Sequence, residues 1–218
     1  MKAVILAGGY GTRLAEETKI KPKPLVKIGN KPIIWHIIKI YSHYGIKNFV
    51  ICLGYKGNLI KKELDKLNKK NEWNIEYVET GLNTMTGGRV KKIENYVKKE
   101  KNFCLSYGDG LSDVNIDELT KFHKTHNKII TITAVRPPAR FGSLSLKGSN
   151  VLKFKEKTQL GESWINGGFF VVNPKFFNFL KDDKTVLESL PLETVTNLKE
   201  IKAFKHEGFW QCMDHKLD

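Results

Sequence analysis

Between Ala3 and Val135, short apolar runs alternate with amphipathic, lysine-rich stretches, and this alternation limits the fold more than any single residue does. Ala3 to Ala7 reads as a buried strand, and Ile34, Ile37, Ile38 and Tyr41 recur at helical spacing before Gly45, which sits where such a helix ends. Further strands are expected at 48–53, 74–79, 103–107 and 129–135, with helices at 58–69, 89–99 and 117–126 between them. Strand and helix in turn imply crossover connections, hence a doubly wound α/β fold with a mostly parallel sheet. After Pro137 and Pro138 the texture changes to short strand-like pieces at 143–146, 151–156 and 168–172, expected as a small antiparallel addition. Pro174 is expected to open a helix reaching about Leu180, with a second helix near 187–197 and a late strand at 201–204. No repeat or linker interrupts the chain, so residues 1–218 are read as one domain, divided functionally near residue 135.

The first strand runs into Gly8, Gly9, Tyr10, Gly11, Thr12 and Arg13, and Lys21 and Lys23 follow. Glycines after a strand let backbone N–H groups close around an anion, while a guanidinium grips two phosphate oxygens and an ammonium acts as a point charge. The segment therefore has the chemistry of a polyphosphate cradle. It lacks the third glycine of a dinucleotide fingerprint, and no Gly-Lys-Ser/Thr follows to make a P-loop, so neither of those sites fits.

Composition narrows the partners. Lys and Arg number 37 against 23 Asp and Glu, a net charge of +14, yet only Arg13, Arg89, Arg136 and Arg140 are arginine. The lysines lie in pairs on many separate helical segments, as solvated faces do, whereas nucleic-acid binding favours a basic stripe interleaved with aromatic rings. Neither a nucleic-acid nor a membrane partner is expected. Cys52, Cys104 and Cys212 are odd in number and widely spaced, which suits packed, reduced thiols in a cytoplasmic protein. The apolar start is too short for a signal peptide.

Two further loops fall where open parallel sheets bind ligands, at strand carboxyl ends. Asp109, between Gly108 and Gly110 just past an apolar strand, suits a metal that would hold a nucleotide's phosphates, and Asp113 suits a helix cap. Thr80, Gly81 and the run Thr84 to Arg89 form a second glycine-rich loop, with Arg89 beside two glycines placed for phosphate. Glu156, Lys157, Asn166 and Gly167 punctuate the later strands and suit a hydroxyl-rich or phosphorylated acceptor, and Asp214 after a bulky apolar run suits a second metal ligand. His123 and His126, three apart on a lysine-rich helix, read as a solvated pair without a role.

The motifs AVILAGGYGTRL, KPKPLVKIGNKPIIWHI, GYKG, TGLNTMTGGR, YGDGLSDVNI, RFGSLSL, WINGGFFVVNP and GFWQCMD resemble, in order, those of the bacterial sugar-phosphate nucleotidyltransferases, most nearly the glucose-1-phosphate cytidylyltransferases. The resemblance covers nearly the whole chain and implies a nucleotide-diphospho-sugar variant of the Rossmann sheet. It implies that Leu6, Ala7, Gly8, Gly9 and Tyr10 with Gly11, Thr12 and Arg13 hold the nucleotide. Lys23 would meet the reacting phosphate, Thr84, Arg89 and Gly108 would touch further parts of the nucleotide, and Asp109 and Asp214 would hold Mg²⁺. Lys23, Arg13 and Arg89 would then be the catalytic cations. The implied reaction transfers CMP from CTP to a small phosphorylated acceptor, with glucose 1-phosphate first, in surface polysaccharide biosynthesis, and a homo-oligomer is possible. The chain departs from the family in a short segment at 63–77, in Thr158 where proline is usual, and in His215 where threonine is usual. These departures bear on the acceptor and keep one such as phosphoglutamine open; the alternative of another class is a non-catalytic nucleotide-binding regulatory homologue.

Overall fold

The computed structural model describes residues 1–11, 21–69, 72–137, 142–155 and 163–213. Strand β1 (Lys2–Leu6) delivers the chain to the glycine loop. A two-residue ribbon, β2 (Lys27–Ile28) and β3 (Lys31–Pro32), leads into α1 (Ile33–His43), which ends at Tyr44 before Gly45, whose φ is +77°. Then come β4 (Asn48–Leu53), α2 (Gly57–Asn68) and β5 (Asn74–Glu79). The segment expected as one helix at 89–99 is instead two short ones, α3 (Thr86–Lys92) and α4 (Glu94–Val97), meeting at Ile93, whose N–H turns back to Val90 O at 3.2 Å. After β6 (Phe103–Tyr107) and the short β7 (Gly110–Ser112), α5 (Ile116–His126) returns to β8 (Ile130–Val135).

The α5 start corrects one expectation. Asn115, not Asp113, is its cap, accepting from the Glu118 N–H at 3.1 Å, while Asp113 pairs with His206 at 2.9 Å. Asp117 and Glu118 in the first turn and Lys124 in the last match the helix dipole. His123 is not solvated either. It is buried, with Nδ1 against Thr131 Oγ1 at 2.8 Å, and the same hydroxyl meets His126 Nε2 at 2.9 Å. That burial lowers its pKa to about 4, and the neighbouring His126 charge adds to the effect.

Strands β9 (Ser143–Lys147) and β10 (Asn150–Lys155) form a separate antiparallel ribbon. The third piece of the expected antiparallel addition, β11 (Ile165–Val172), joins the main sheet instead, antiparallel to both β6 and β8. A 3₁₀ segment Pro174–Phe179, α6 (Leu190–Asn197), β12 (Ile201–His206) and β13 (Trp210–Cys212) complete the described chain. The seven-stranded order is β12-β8-β11-β6-β1-β4-β5, and β13 pairs with β7. All pairings in the large sheet except those of β11 are parallel.

Alternation along β1 divides the core. Ala3, Ile5 and Ala7 meet Ile33, Ile37 and Tyr41 of α1 and Ile116 and Leu119 of α5 on one face. Val4 and Leu6 meet Val90, Ile93 and Val97 of α3 and α4, with Phe176, Phe177 and Val195, on the other. Apolar cover on both faces explains the unbroken apolar strands, since each buried Ile, Val or Leu contributes about 1.5–3 kcal/mol. It also leaves the carboxyl edge of the sheet as the place where loops gather.

Candidate active site

A cleft of about 930 Å³ opens at that edge. It is large for a small-molecule site, for which about 300–1,000 Å³ is typical, and has room for a nucleotide beside a second reactant. Leu6, Ala7, Gly8, Gly9, Tyr10, Gly11, Lys23, Thr84, Arg89, Gly108, Asp109, Asn166 and Gly167 all line it. Thr12, Arg13, Glu156, Lys157 and Asp214 lie outside the described residues.

One half of the cleft sits over β1, β4 and β5. Gly9 has open space where a Cβ would be, as a backbone that admits a ligand requires, and exposed Tyr10 reaches Asn83 Oδ1 at 3.0 Å. Gly8 is there for another reason. A Cβ on it would run into the Arg89 guanidinium, lying 2.7 Å from Cζ and closer still to Nη1. Leu82 and Met85, both exposed and both on the cleft wall, offer an apolar surface of the kind a base occupies.

Arg89 departs from the sequence expectation of a side chain reaching outward to phosphate. It is only 4 % exposed, and Nη1 donates to Thr80 Oγ1 at 2.6 Å, Gly81 O at 2.8 Å and Leu53 O at 3.3 Å, with Nη2 donating to Leu82 O at 3.3 Å. The guanidinium thus ties the carboxyl ends of β4 and β5 to α3, and its burial lowers its pKa from the usual arginine value. The neighbouring glycines do not form an anion nest. A Cβ on Gly87 would meet Thr185 Cγ2 at 2.7 Å and one on Gly88 would meet Asp183 Cα at 2.7 Å, so both let the 182–187 segment dock against the helix. Thr84 is buried, and its hydroxyl donates to Thr80 O at 2.6 Å.

At the centre, Lys23 Nζ and Asp109 Oδ2 are 2.6 Å apart, with side chains 9 % and 29 % exposed. Lys23 arrives on a 3₁₀ turn, Lys23–Leu25, and Asp109 on the turn between β6 and β7. Gly108 allows this approach, since a Cβ there would lie 2.7 Å from Leu6 O. The Met213 N–H donates to Asp109 O at 2.9 Å, which fixes the residue ahead of Asp214 against the same turn. A carboxylate with one oxygen on a cation and the other without a hydrogen bond among the described residues suits a hard, oxygen-seeking divalent ion.

The other half, over β6 and β11, holds groups the sequence reading did not single out. Tyr107 Oη donates to Glu188 Oε1 at 2.5 Å, and Trp210 Nε1 donates to Gly167 O at 2.8 Å. Asn166 is already engaged on both sides of its amide, accepting from the Gly168 N–H at 2.8 Å and donating to Tyr107 Oη at 3.3 Å. Gly168 has φ +77°, and a Cβ on it would strike Tyr107 Cδ2 at 2.6 Å, so its missing side chain makes room for the ring. Glu188 left no signal because the partners that give it meaning, Tyr107 and Thr86, lie far from it in sequence.

A doubly wound sheet with a phosphate-type glycine loop, a cleft lysine and a cleft aspartate defines a nucleotide-handling enzyme, and the chain belongs to the nucleotidyl transferase family, whose pattern it matches over residues 2–210. It is 47 % identical to the glucose-1-phosphate cytidylyltransferase of Salmonella typhimurium, over 100 % of this chain and 93 % of that protein. It is 40 % identical to a probable glucose-1-phosphate cytidylyltransferase of Bacillus subtilis, over 98 % of this chain and 91 % of the other. Among solved structures, a putative glucose-1-phosphate thymidylyltransferase from Bacillus anthracis superposes with a TM-score of 0.75 at 18 % identity, over 100 % of this chain and 91 % of that one. The inositol-1-phosphate CTP transferase of T. maritima gives 0.72 at 19 % identity, over 99 % and 90 %. At those identities the structures speak for the fold.

Proposed function

We propose that the protein is a glucose-1-phosphate cytidylyltransferase, making CDP-glucose and pyrophosphate from CTP and glucose 1-phosphate. The observation that carries this reading is the full-length 47 % identity to the Salmonella enzyme. The cleft supports it by gathering the glycine loop, Lys23 and Asp109 on one wall and Tyr107, Asn166 and Glu188 on another.

In the reaction, an oxygen of the acceptor's phosphate forms a bond to the α-phosphorus of CTP, the bond from that phosphorus to the β-phosphate oxygen breaks, and pyrophosphate leaves. A phosphate is already ionised, so no general base is required. The obstacle is bringing two anions together, which calls for positioning and opposing charge. In this reading the Gly8–Arg13 loop and Thr84 hold the nucleotide. Lys23 turns from Asp109 to the α-phosphate, and Arg89 serves from behind, as the clasp that shapes the nucleotide wall. Asp109 and Asp214 would hold Mg²⁺, which when bound neutralises phosphate charge and orients the triphosphate. Residues up to about 135 serve mainly the nucleotide and those from 136 the acceptor, with Glu156 and Lys157 assigned to the acceptor. No helix among the described residues is long and apolar enough to cross a membrane. We assign the enzyme to the cytoplasm, where CTP is made.

The test is pyrophosphate release by the purified protein with each of the four nucleoside triphosphates against glucose 1-phosphate, other hexose 1-phosphates and phosphoglutamine. CTP with glucose 1-phosphate is expected to give the highest kcat/KM. A higher value for another pair would replace this assignment, and CTP binding without turnover of any acceptor would favour the non-catalytic homologue.

A further inference from the structure

Hydrogen bonds on the acceptor side of the cleft run in one direction and end on Glu188. The Gly168 N–H donates to Asn166 Oδ1, Asn166 Nδ2 donates to Tyr107 Oη at 3.3 Å, and Tyr107 Oη donates to Glu188 Oε1 at 2.5 Å. From the opposite side, the Leu187 N–H donates to Thr86 Oγ1 at 2.9 Å, and that hydroxyl donates to Glu188 Oε2 at 2.7 Å. Tyr107 has one proton to give and is held to giving it, because burial above all, then the Glu188 charge, pushes its pKa far up.

Among the described residues each carboxylate oxygen therefore has one donor. A carboxylate has about four lone-pair sites, so about two remain. Glu188 is exposed and lines the cleft, which leaves that capacity open to a ligand. Its partners fix where that ligand lies. Tyr107 closes β6 and Asn166 is the second residue of β11, so the carboxylate faces the acceptor half of the sheet edge. A group that completes this site must donate hydrogen bonds, and it must not be anionic, since phosphate or carboxylate placed there would face a negative charge.

We propose that Glu188, held in place by Tyr107 and Thr86, recognises hydroxyl groups of the acceptor's sugar ring and discriminates against acceptors with a negative charge at that end. The inference rests on the reading of the cleft as a cytidylyltransferase site and adds a specificity-determining residue to it. Tyr107 and Thr86 act as positioning residues.

The experiment compares wild type with Glu188→Gln, Glu188→Ala and Tyr107→Phe. Initial rates are measured with CTP and glucose 1-phosphate varied in turn, and calorimetry measures binding of CDP and CDP-glucose. A hydrogen bond to a charged group supports an expected rise of about ten- to a hundredfold in the glucose 1-phosphate KM for Glu188→Ala. Affinity for CDP-glucose should fall in step, while CDP affinity and the CTP KM stay within about twofold of wild type. Tyr107→Phe should give a smaller shift of the same kind, and Glu188→Gln should raise the relative kcat/KM for phosphoglutamine. Should Glu188→Ala fail to fold, Glu188→Gln, which keeps the volume, decides the matter. Equal weakening of CDP and CDP-glucose would make Glu188 a ribose contact and overturn the inference, as would no change in either. A wild type that prefers another sugar phosphate sinks the glucose assignment alone, and Glu188→Gln must then impair that sugar. Preference for an anionic acceptor, or turnover of no hydroxyl-bearing one, overturns the inference itself.

Discussion

Changing Gly8 to alanine separates two explanations of the N-terminal glycine loop. If Gly8 served only to admit phosphate, a methyl group there would be harmless in the ligand-free protein. In the structure that methyl would overlap Nη1 and Cζ of Arg89. Overpacking of this kind costs about 1–3 kcal/mol. Displacing Nη1 also strains its bonds to Thr80 Oγ1 and Gly81 O, at 2.6 and 2.8 Å, and hydrogen bonds to a charged group contribute about 1.5–3 kcal/mol each. The expected destabilisation is about 2–5 kcal/mol, or a Tm lower by about 5–15 °C for a chain of this size. The assay is thermal and urea unfolding of Gly8→Ala, Arg89→Ala and the double variant without nucleotide. Arg89→Ala should itself destabilise, but Gly8→Ala added to it should cost clearly less than in wild type, because the guanidinium is gone and only the tight contact with Gly54 N at 3.0 Å remains. Gly8→Ala that unfolds like wild type while weakening CTP would refute the clasp and restore the simple phosphate cradle.

Lys23→Ala should lower kcat about a hundredfold or more, by analogy with loss of one electrostatic donor, and single-turnover kinetics would reveal whether the loss falls on chemistry. Gly168→Ala should raise the glucose 1-phosphate KM and spare that of CTP, because its Cβ displaces the Tyr107 ring from a backbone position at φ +77°; steady-state kinetics checks the split. Acid should destabilise the fold through His123. Above about pH 6.5 the residue is neutral in both states, whereas between there and its folded value of about 4 only the unfolded chain takes up the proton. Stability should fall with pH across that window by about 2–3 kcal/mol, and His123→Leu should flatten the fall seen in wild-type unfolding curves. Chelation of divalent ions should abolish pyrophosphate release, with recovery on adding Mg²⁺.

Strands β4, β5 and β6 run over 48–53, 74–79 and 103–107 as the sequence pattern indicates: β4 and β6 are short apolar runs covered on both faces, and β5, at the sheet edge, alternates partly buried Ile75 and Tyr77 with exposed Asn74, Glu76 and Glu79. The antiparallel sense expected of β11 holds, but its place inside the large sheet was not legible, since an apolar strand carries no mark of which sheet it enters. The cap of α5 was misplaced because Asp113 and Asn115 are both competent caps, and a distant contact decided between them: Asp113 pairs with His206. The same kind of distant contact hid the duty of Arg89. Its neighbours in sequence are glycines, which suggested phosphate, but its hydrogen-bond partners come from the ends of two other strands. Glu188 was invisible for that reason too, as its meaning depends on Tyr107, 81 residues earlier. By contrast, Lys23 and Asp109 could be picked out singly from their turns, and the fold brings them to 2.6 Å.

The most direct test of the central claim is to follow, by ³¹P NMR, a mixture of the purified protein with CTP, glucose 1-phosphate and Mg²⁺. The expected outcome is loss of the CTP and glucose 1-phosphate signals, with CDP-glucose and pyrophosphate appearing in equal amounts. Retention of both substrates, or CDP-glucose formed more slowly than the product of another nucleotide or acceptor under the same conditions, would contradict it.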